Sequence, residues 1–586
     1  MVTERKKVDP IVVAVRNSRF NAINEEMGRV LIRTSRSPIF AEARDFGVAI
    51  FDKDLRLIAQ KEYIAVLAGA IPVALQNIAA AYEGDINEDD IFIHNDCYAG
   101  NNHIPDLNIA KPVFYNGELM FWSVVKGHMA DTGGRGVVGY DPNGTTIWDD
   151  GLTLPAAKLY DRGKLNRAIR DIIFRNVKLP DIVWGDIMCE VGGVTVGERN
   201  FLALLDRYGS ETLYGAIDEI LTDSEREMRD KIRQMPDGVY YGEKSTDPVP
   251  AFGDEPVTVR VKVTKKGDEI TIDLSDSDPQ TVGYLNSTWA NTFSVCQLVL
   301  AYALPGEVRR NQGSMVPVKI VARKGTWVNP EFPAPVTNCT TGGSECIGEA
   351  LLLALSKALP QWIAACHAKM TNVMARGFNP RTKRQWVDID FFTRQQPSGG
   401  TEGYDGWDLG GPTFELGGGR TPDLEIIELV KPVHILQCEQ EPDTAGAGKF
   451  RSGIGHVYKV QYLADADDGV IISSGMKDYS PPSGLFGGNS PKPNTLVVHR
   501  ANRQTEPQKV HTFVKFKAGD IMEEHLMGAG GYGDPFEREV KRVQQDVKNE
   551  VVSIEGAKRD YGVVIVPVTL EANLKATEEL RKSHKK

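Results

Sequence analysis

His103, Asp106, His128 and Asp131 are the residues of this 586-residue chain whose types and spacing are suited to chemistry. They lie in one stretch, Asn95 to Gly134, which reads NDCYAGNNHIPDLNIAKPVFYNGELMFWSVVKGHMADTGG. Two imidazoles and a carboxylate are the donor set of an open divalent-cation site, with positions left for water or substrate; Mn, Zn and Fe all accept it. Histidines at the end of a strand are also ordinary hydrogen-bonded residues, and residue type alone leaves both readings open.

The elements that must bring these groups together are the arms of a β-hairpin. Leu107 to Tyr115 forms one apolar-rich arm, and Glu118 to Lys126 the other, rich in aromatic and β-branched residues. Asn116-Gly117 supplies a two-residue turn, since both residues accept positive φ. With Tyr115 facing Glu118 and the register continued in step, His128 is expected level with Pro105, between His103 and Asp106. Directly opposed residues sit about 5 Å apart at Cβ. Pro105 cannot donate to a ladder, so the pairing is expected to be irregular there.

The same stretch resembles the hydantoinase B/5-oxoprolinase family. The motifs that carry the resemblance are Asn95-Asp96, Tyr98, Gly100, His103-Ile104-Pro105-Asp106, and His128-Met129-Ala130-Asp131-Thr132-Gly133-Gly134. Further matches are Arg44-Asp45, the run Asp443 to Gly455, and Gly530 to Pro535. The resemblance implies a divalent metal held by His103, Asp106 and His128, with Asp131 behind these ligands or acting as a base for a proton next to a carbonyl. Two departures stand out. Where relatives read E-H-I-P-V-H, this chain has Glu62-Tyr63-Ile64-Ala65-Val66-Leu67, without either histidine. Where they read ND-P-Y-H-G-G, it has Asn95 to Asn101 with Cys97, Ala99 and Asn101 substituted, which points to a less polar substrate.

Composition bounds the rest. The chain is 41% hydrophobic and 25% charged, as folded proteins are, and its net charge of −11 offers no basic stripe for nucleic acid. Seven cysteines without a C-x-x-C pair read as reduced thiols, and no run of about 18 apolar residues or signal-peptide core is present, so a cytoplasmic protein with no membrane association is expected. Cys97, with His94 near it in sequence, is a possible nucleophile or an ordinary thiol.

The expected fold class is α+β: mixed sheets with packed helices and a β-rich C-terminal half. The expected parts are 1–240, an α/β part carrying the metal site; 241–535, β-rich with buried helices and glycine-rich loops; and 536–586, a helix, a strand and a tail. Asp9-Pro10 opens a helix to about Thr34, and Pro72 to Tyr82 reads as another. Trp184 begins a long helical run to Tyr208. Gln395 to Arg420 is a glycine-rich loop, Glu425 to Gln440 looks extended, and Gly562 to Val568 looks like a strand before a frayed basic end. Lys449 and Arg451 suit an interface or an anion. Gly528 to Gly533 contains G-x-G-x-x-G, but no apolar strand precedes it, so a dinucleotide site is not expected.

Three functions follow. The first, implied by the resemblance, is the metal-bearing subunit of an ATP-dependent ketone carboxylase, joining an acetone- or acetophenone-like ketone and bicarbonate into a β-keto acid. The runs Trp184-Gly185-Asp186 and Val196-Gly197-Glu198-Arg199 favour it. The chain shows no nucleotide motif, so ATP would bind on a hydantoinase A-like partner, with small accessory subunits possible. The second is a subunit of an ATP-dependent hydantoinase or 5-oxoprolinase that hydrolyses cyclic amides. The third is a structural subunit without an active metal.

Overall fold

The computed structural model describes residues 10–388, 396–413, 423–477 and 479–584. Helices pack against mixed and antiparallel sheets throughout, so the fold class is α+β. Contacts divide the chain into two compact units that are discontinuous in sequence. One is built from Met1–Gly242 and Val259–Leu351; the other takes Glu243–Thr258, Leu352–Gly417 and Thr421–Lys586.

The first unit is organised by a seven-stranded antiparallel sheet. Its strands are β1 (Phe46–Asp52), β2 (Leu57–Glu62), β3 (Ile91–His94), β4 (Asp106–Tyr115), β5 (Glu118–His128), β6 (Ala157–Asp161) and β7 (Lys164–Leu165), in the order β2-β1-β5-β4-β3-β6-β7. The central pair β4–β5 is the expected hairpin, with Asn116 at φ 53° and Gly117 at φ 81° in its turn. Its side chains alternate. Trp122, Val124 and Ala110 face the helix Ile71–Ala81, packing with Ile71, Leu75 and Ile78. Ser123 and Val125 face the helix Pro180–Tyr208. That helix approaches closely because Gly197 and Gly193 sit at the contact; a Cβ on Gly197 would lie 2.1 Å from Ser123 Oγ. The helix Pro10–Thr34 packs alongside it through Met27 and Leu31.

The register differs from the in-step expectation. A bulge between Val113 and Phe114 leaves Met120 as an extra residue on β5, so Val113 pairs with Phe121 and Phe114 with Leu119. Beyond it every partner moves by one, and His128 pairs with Asp106 rather than lying level with Pro105.

The second unit is strand-rich. A four-stranded sheet (order Arg384–Asp388, Thr371–Asn379, Ala466–Ser473, Thr512–Phe513) and a five-stranded sheet (order Val433–Gln440, His456–Tyr462, Ile521–His525, Thr495–His499, Thr505–Pro507) share a core of Ile471, Tyr458, Val498, Phe516 and their neighbours. Three local expectations are corrected. Leu424–Val430 is a helix, because Asp423 accepts from the N–H groups of Glu425 and Ile426 and caps it; only Val433–Gln440 is extended. The stretch after Gly562 forms an isolated bridge, Ile565 to Ala572, rather than a strand, and the basic end is the helix Leu574–His584. The glycine-rich loop is described at 396–413 only; the remainder of that expectation lies outside the described residues.

Candidate metal centre

The bulge-shifted register places Asp106, the first residue of β4, and His128, the last of β5, on the same face of the sheet. His103 reaches them from the loop before β4. That loop is fixed by asparagines. Asn95 Nδ2 donates to the carbonyls of Ile104 (2.9 Å) and Leu152 (3.0 Å). Asn101 Nδ2 lies 2.7 Å from the carbonyl oxygens of both His103 and Asp106, and its Oδ1 accepts from Asn108 at 3.0 Å. At the preceding turn Gly100 has φ 102°, and a Cβ there would lie 2.7 Å from the Val73 carbonyl oxygen.

His103 Nε2 lies 2.8 Å from Asp106 Oδ1 and 3.2 Å from His128 Nδ1, and His128 Nδ1 lies 3.3 Å from the same carboxylate oxygen. All three side chains are buried. Among the described residues this is the group of His, Cys, Asp and Glu that could hold a metal ion. Two ligands bonded to one cation at about 2.1 Å, at tetrahedral or octahedral angles, stand about 3.0–3.4 Å apart, close to the spacing here. His103 Nδ1 is 2.6 Å from the Thr337 carbonyl oxygen and donates to it, which leaves the Nε2 lone pair facing the centre. The other carboxylate oxygen of Asp106, Oδ2, is buried without a hydrogen-bond partner. Acceptors converging with one oxygen unsatisfied fit a cation better than a hydrogen-bonded cluster.

The electrostatics agree. Burial alone would raise the Asp106 carboxyl; His103 and His128 beside it and the charge of Lys126 hold it well below the usual range. Lys126 is itself buried, donates to Asn102 Oδ1, and is brought down by burial to about 8, Asp106 pulling it back up. Asp45, just before β1, senses the same centre. Burial pushes its carboxyl up to about 6, with His128 opposing and Asp106 adding to the rise. Its backbone carbonyl accepts from His128 N at 3.0 Å.

Asp45 is thus a further acidic group at the centre. Arg44-Asp45, matched to the family in sequence, does not form an ion pair with itself; Arg44 takes a left-handed conformation at φ 57°. Thr337 was missed, being 234 residues from His103 in sequence. Asp131 falls outside the triad. Its Oδ1 accepts from Gly133 N (2.9 Å), and its Oδ2 from the N–H groups of Leu179 (2.8 Å) and Lys178, so it ties the loop after β5 to the start of the helix Pro180–Tyr208. Three backbone donors on one carboxylate describe a fastening rather than a free base.

Other candidates have structural placements. Cys97 is buried, its thiol pushed well up by burial, and its Sγ faces the Asn95 carbonyl at 3.7 Å rather than His94. Burial brings His94 down to about 3. Arg451 pairs with Asp546 at 3.3 Å, and Lys449 is partly exposed. Gly528 to Gly533 packs backbone to backbone, Gly530 N donating to the Cys366 carbonyl and Gly531 N to that of Asn489.

The family profile described as hydantoinase B/oxoprolinase matches residues 9–535. The chain belongs to the hydantoinase B/oxoprolinase family. Among members of this family, it is 32% identical over 565 residues to the β-chain of the caprolactamase of Pseudomonas jessenii, covering 95% of this chain and 96% of that one. The crystal structure of the ATP-dependent caprolactamase from the same organism superposes with a TM-score of 0.92 at 31% identity, covering 98% of this chain and all of that one. The B component of a putative D-/L-hydantoinase from Pseudomonas sp. (strain NS671) is 31% identical over 607 aligned positions, covering 99% of each chain. A nucleotide-free structure of acetone carboxylase shares the fold, with a TM-score of 0.90 at 19% identity, covering 98% of this chain and 83% of that one. Among the described residues, no helix is long and apolar enough to cross a membrane.

Proposed function

We propose that this chain is the metal-bearing subunit of an ATP-dependent enzyme that opens a cyclic amide, a lactam or a hydantoin-type ring. The observation that carries this reading is the convergence of His103, Asp106 and His128 around an unsatisfied Asp106 oxygen. Relatives named for a lactam and for hydantoins, at 32% and 31% identity across nearly their whole length, support the amide substrate. The likeness to acetone carboxylase is one of fold. The runs that favoured a ketone carboxylase have packing duties here: Asp186 accepts from Arg36 N and Ser37 N, Gly197 admits Ser123, and Glu198 pairs with Lys111 at 3.2 Å.

A divalent ion held by the triad would polarise the ring carbonyl and stabilise the oxyanion that develops on it. The chain's own residues prepare that centre. The Thr337 carbonyl fixes the His103 ring. Asn101 fixes the spacing of His103 and Asp106. The Asp45 backbone carbonyl holds the His128 N–H at 3.0 Å and so fixes the end of β5. Burial keeps bulk water out and strengthens each of these interactions. ATP is assigned to a hydantoinase A-like partner, making the active form a cytoplasmic hetero-oligomer.

The test is to purify the native complex and supply lactam or hydantoin with ATP. Ring-opened product without bicarbonate is expected, lost on chelation. Fixation of labelled bicarbonate that requires a ketone and ATP would establish carboxylation instead. Full turnover after complete metal removal would leave only a structural role for this chain.

A further inference from the structure

A strained turn holds a tyrosine at the triad. Val137 and Tyr140 form an isolated bridge, Tyr140 N donating to the Val137 carbonyl at 3.0 Å. Both residues between them have positive φ, Val138 at 57° and Gly139 at 82°. Gly139 is required: a Cβ would lie 2.1 Å from the Asp150 carbonyl oxygen. Val138 is β-branched, and such residues avoid this region unless the surroundings force them into it; strain of this kind gathers at functional sites. The turn delivers a fully buried Tyr140 whose ring stands edge-on to His103, with centroids 6.3 Å apart, and edge-on to Tyr284 at 6.5 Å. The phenol oxygen is buried without a well-formed hydrogen bond, the Thr340 side chain being its polar neighbour. A phenol carries its O–H at neutral pH and so stands here as a donor.

A buried hydroxyl whose one polar neighbour forms no well-shaped hydrogen bond with it is costly, and such a donor is poised to serve an incoming acceptor. We propose that Tyr140 is a catalytic hydrogen-bond donor, its O–H directed at the oxygen that gains negative charge when a substrate carbonyl at the triad is attacked. This rests on the reading of the triad as a metal centre acting on a cyclic amide. The bland alternative is a core tyrosine whose hydroxyl has no role.

The test uses the full chain loaded with Co²⁺, whose d–d absorption reports on its ligands, and acetohydroxamate as a small oxyanion probe. Tyr140→Phe keeps the ring and removes only the O–H. Co²⁺ uptake is read first; one ion per chain is expected in wild type and variant. Acetohydroxamate is then expected to bind on the order of tenfold more weakly to the variant. Equal probe affinity with normal Co²⁺ uptake overturns the role of Tyr140 and leaves the metal centre standing. A wild-type chain that takes up no Co²⁺ overturns the metal centre, and this proposal with it.

Discussion

Asp150→Asn should make stability less sensitive to pH. Asp150 is fully buried, and its Oδ2 accepts from Val336 N at 2.8 Å, so it secures the turn whose next residue, Thr337, anchors His103. Burial pushes its carboxyl from 3.8 to about 7, hydrogen bonds from Thr337 and Val336 opposing the rise. The folded protein therefore keeps a proton on Asp150 that the unfolded chain loses near pH 4. Stability contributed here is fully present below pH 4, is lost as pH rises toward 7, and is level above that. The difference in proton affinity corresponds to about 4 kcal/mol, an upper bound because a buried acid can relax toward water. Asparagine offers the same oxygen to Val336 N–H and has no proton to lose. Thermal midpoints of variant and wild type, compared from pH 4.5 to pH 8, should diverge in favour of the variant up to about pH 7 and the gap should then level off. A gap that stays constant across the range would show that Asp150 is ionised in the native protein and that its surroundings have been misjudged.

Two further outcomes are expected. Asn101→Ala removes the amide that grips the carbonyls of His103 and Asp106, and should weaken metal affinity about 10- to 100-fold while the ligands themselves remain; competitive chelator titration measures it. Gly133→Ala should destabilise the first unit by about 2 kcal/mol or more, because Gly133 has φ 78° and a Cβ there would lie 1.8 Å from the Asn176 carbonyl oxygen; a lowered thermal midpoint checks it.

The hairpin was legible because its signals are local: a turn pair that tolerates positive φ and two arms of strand-forming residues. Local signals also found the helices Pro10–Thr34, Ile71–Ala81 and Pro180–Tyr208 to within a few residues. The bulge at Met120 was not legible, since nothing in the chain marks an unpaired residue, and it decides which residue faces His128. The Thr337 carbonyl, a backbone acceptor far along the chain, leaves no trace in residue type. Asp131 shows the converse difficulty. A carboxylate just beyond a candidate ligand reads as chemistry, yet its oxygens serve backbone N–H groups at the start of a helix. Glu425 to Gln440 read as extended throughout, whereas the Asp423 cap starts a helix over Leu424–Val430.

The account's central claim is that His103, Asp106 and His128 hold one divalent cation. Elemental analysis of the purified full chain, beside His128→Ala of matching circular dichroism, tests it most directly. One ion per wild-type chain and none in the variant is predicted. A wild-type chain free of metal, or a variant that retains its full complement, would contradict it.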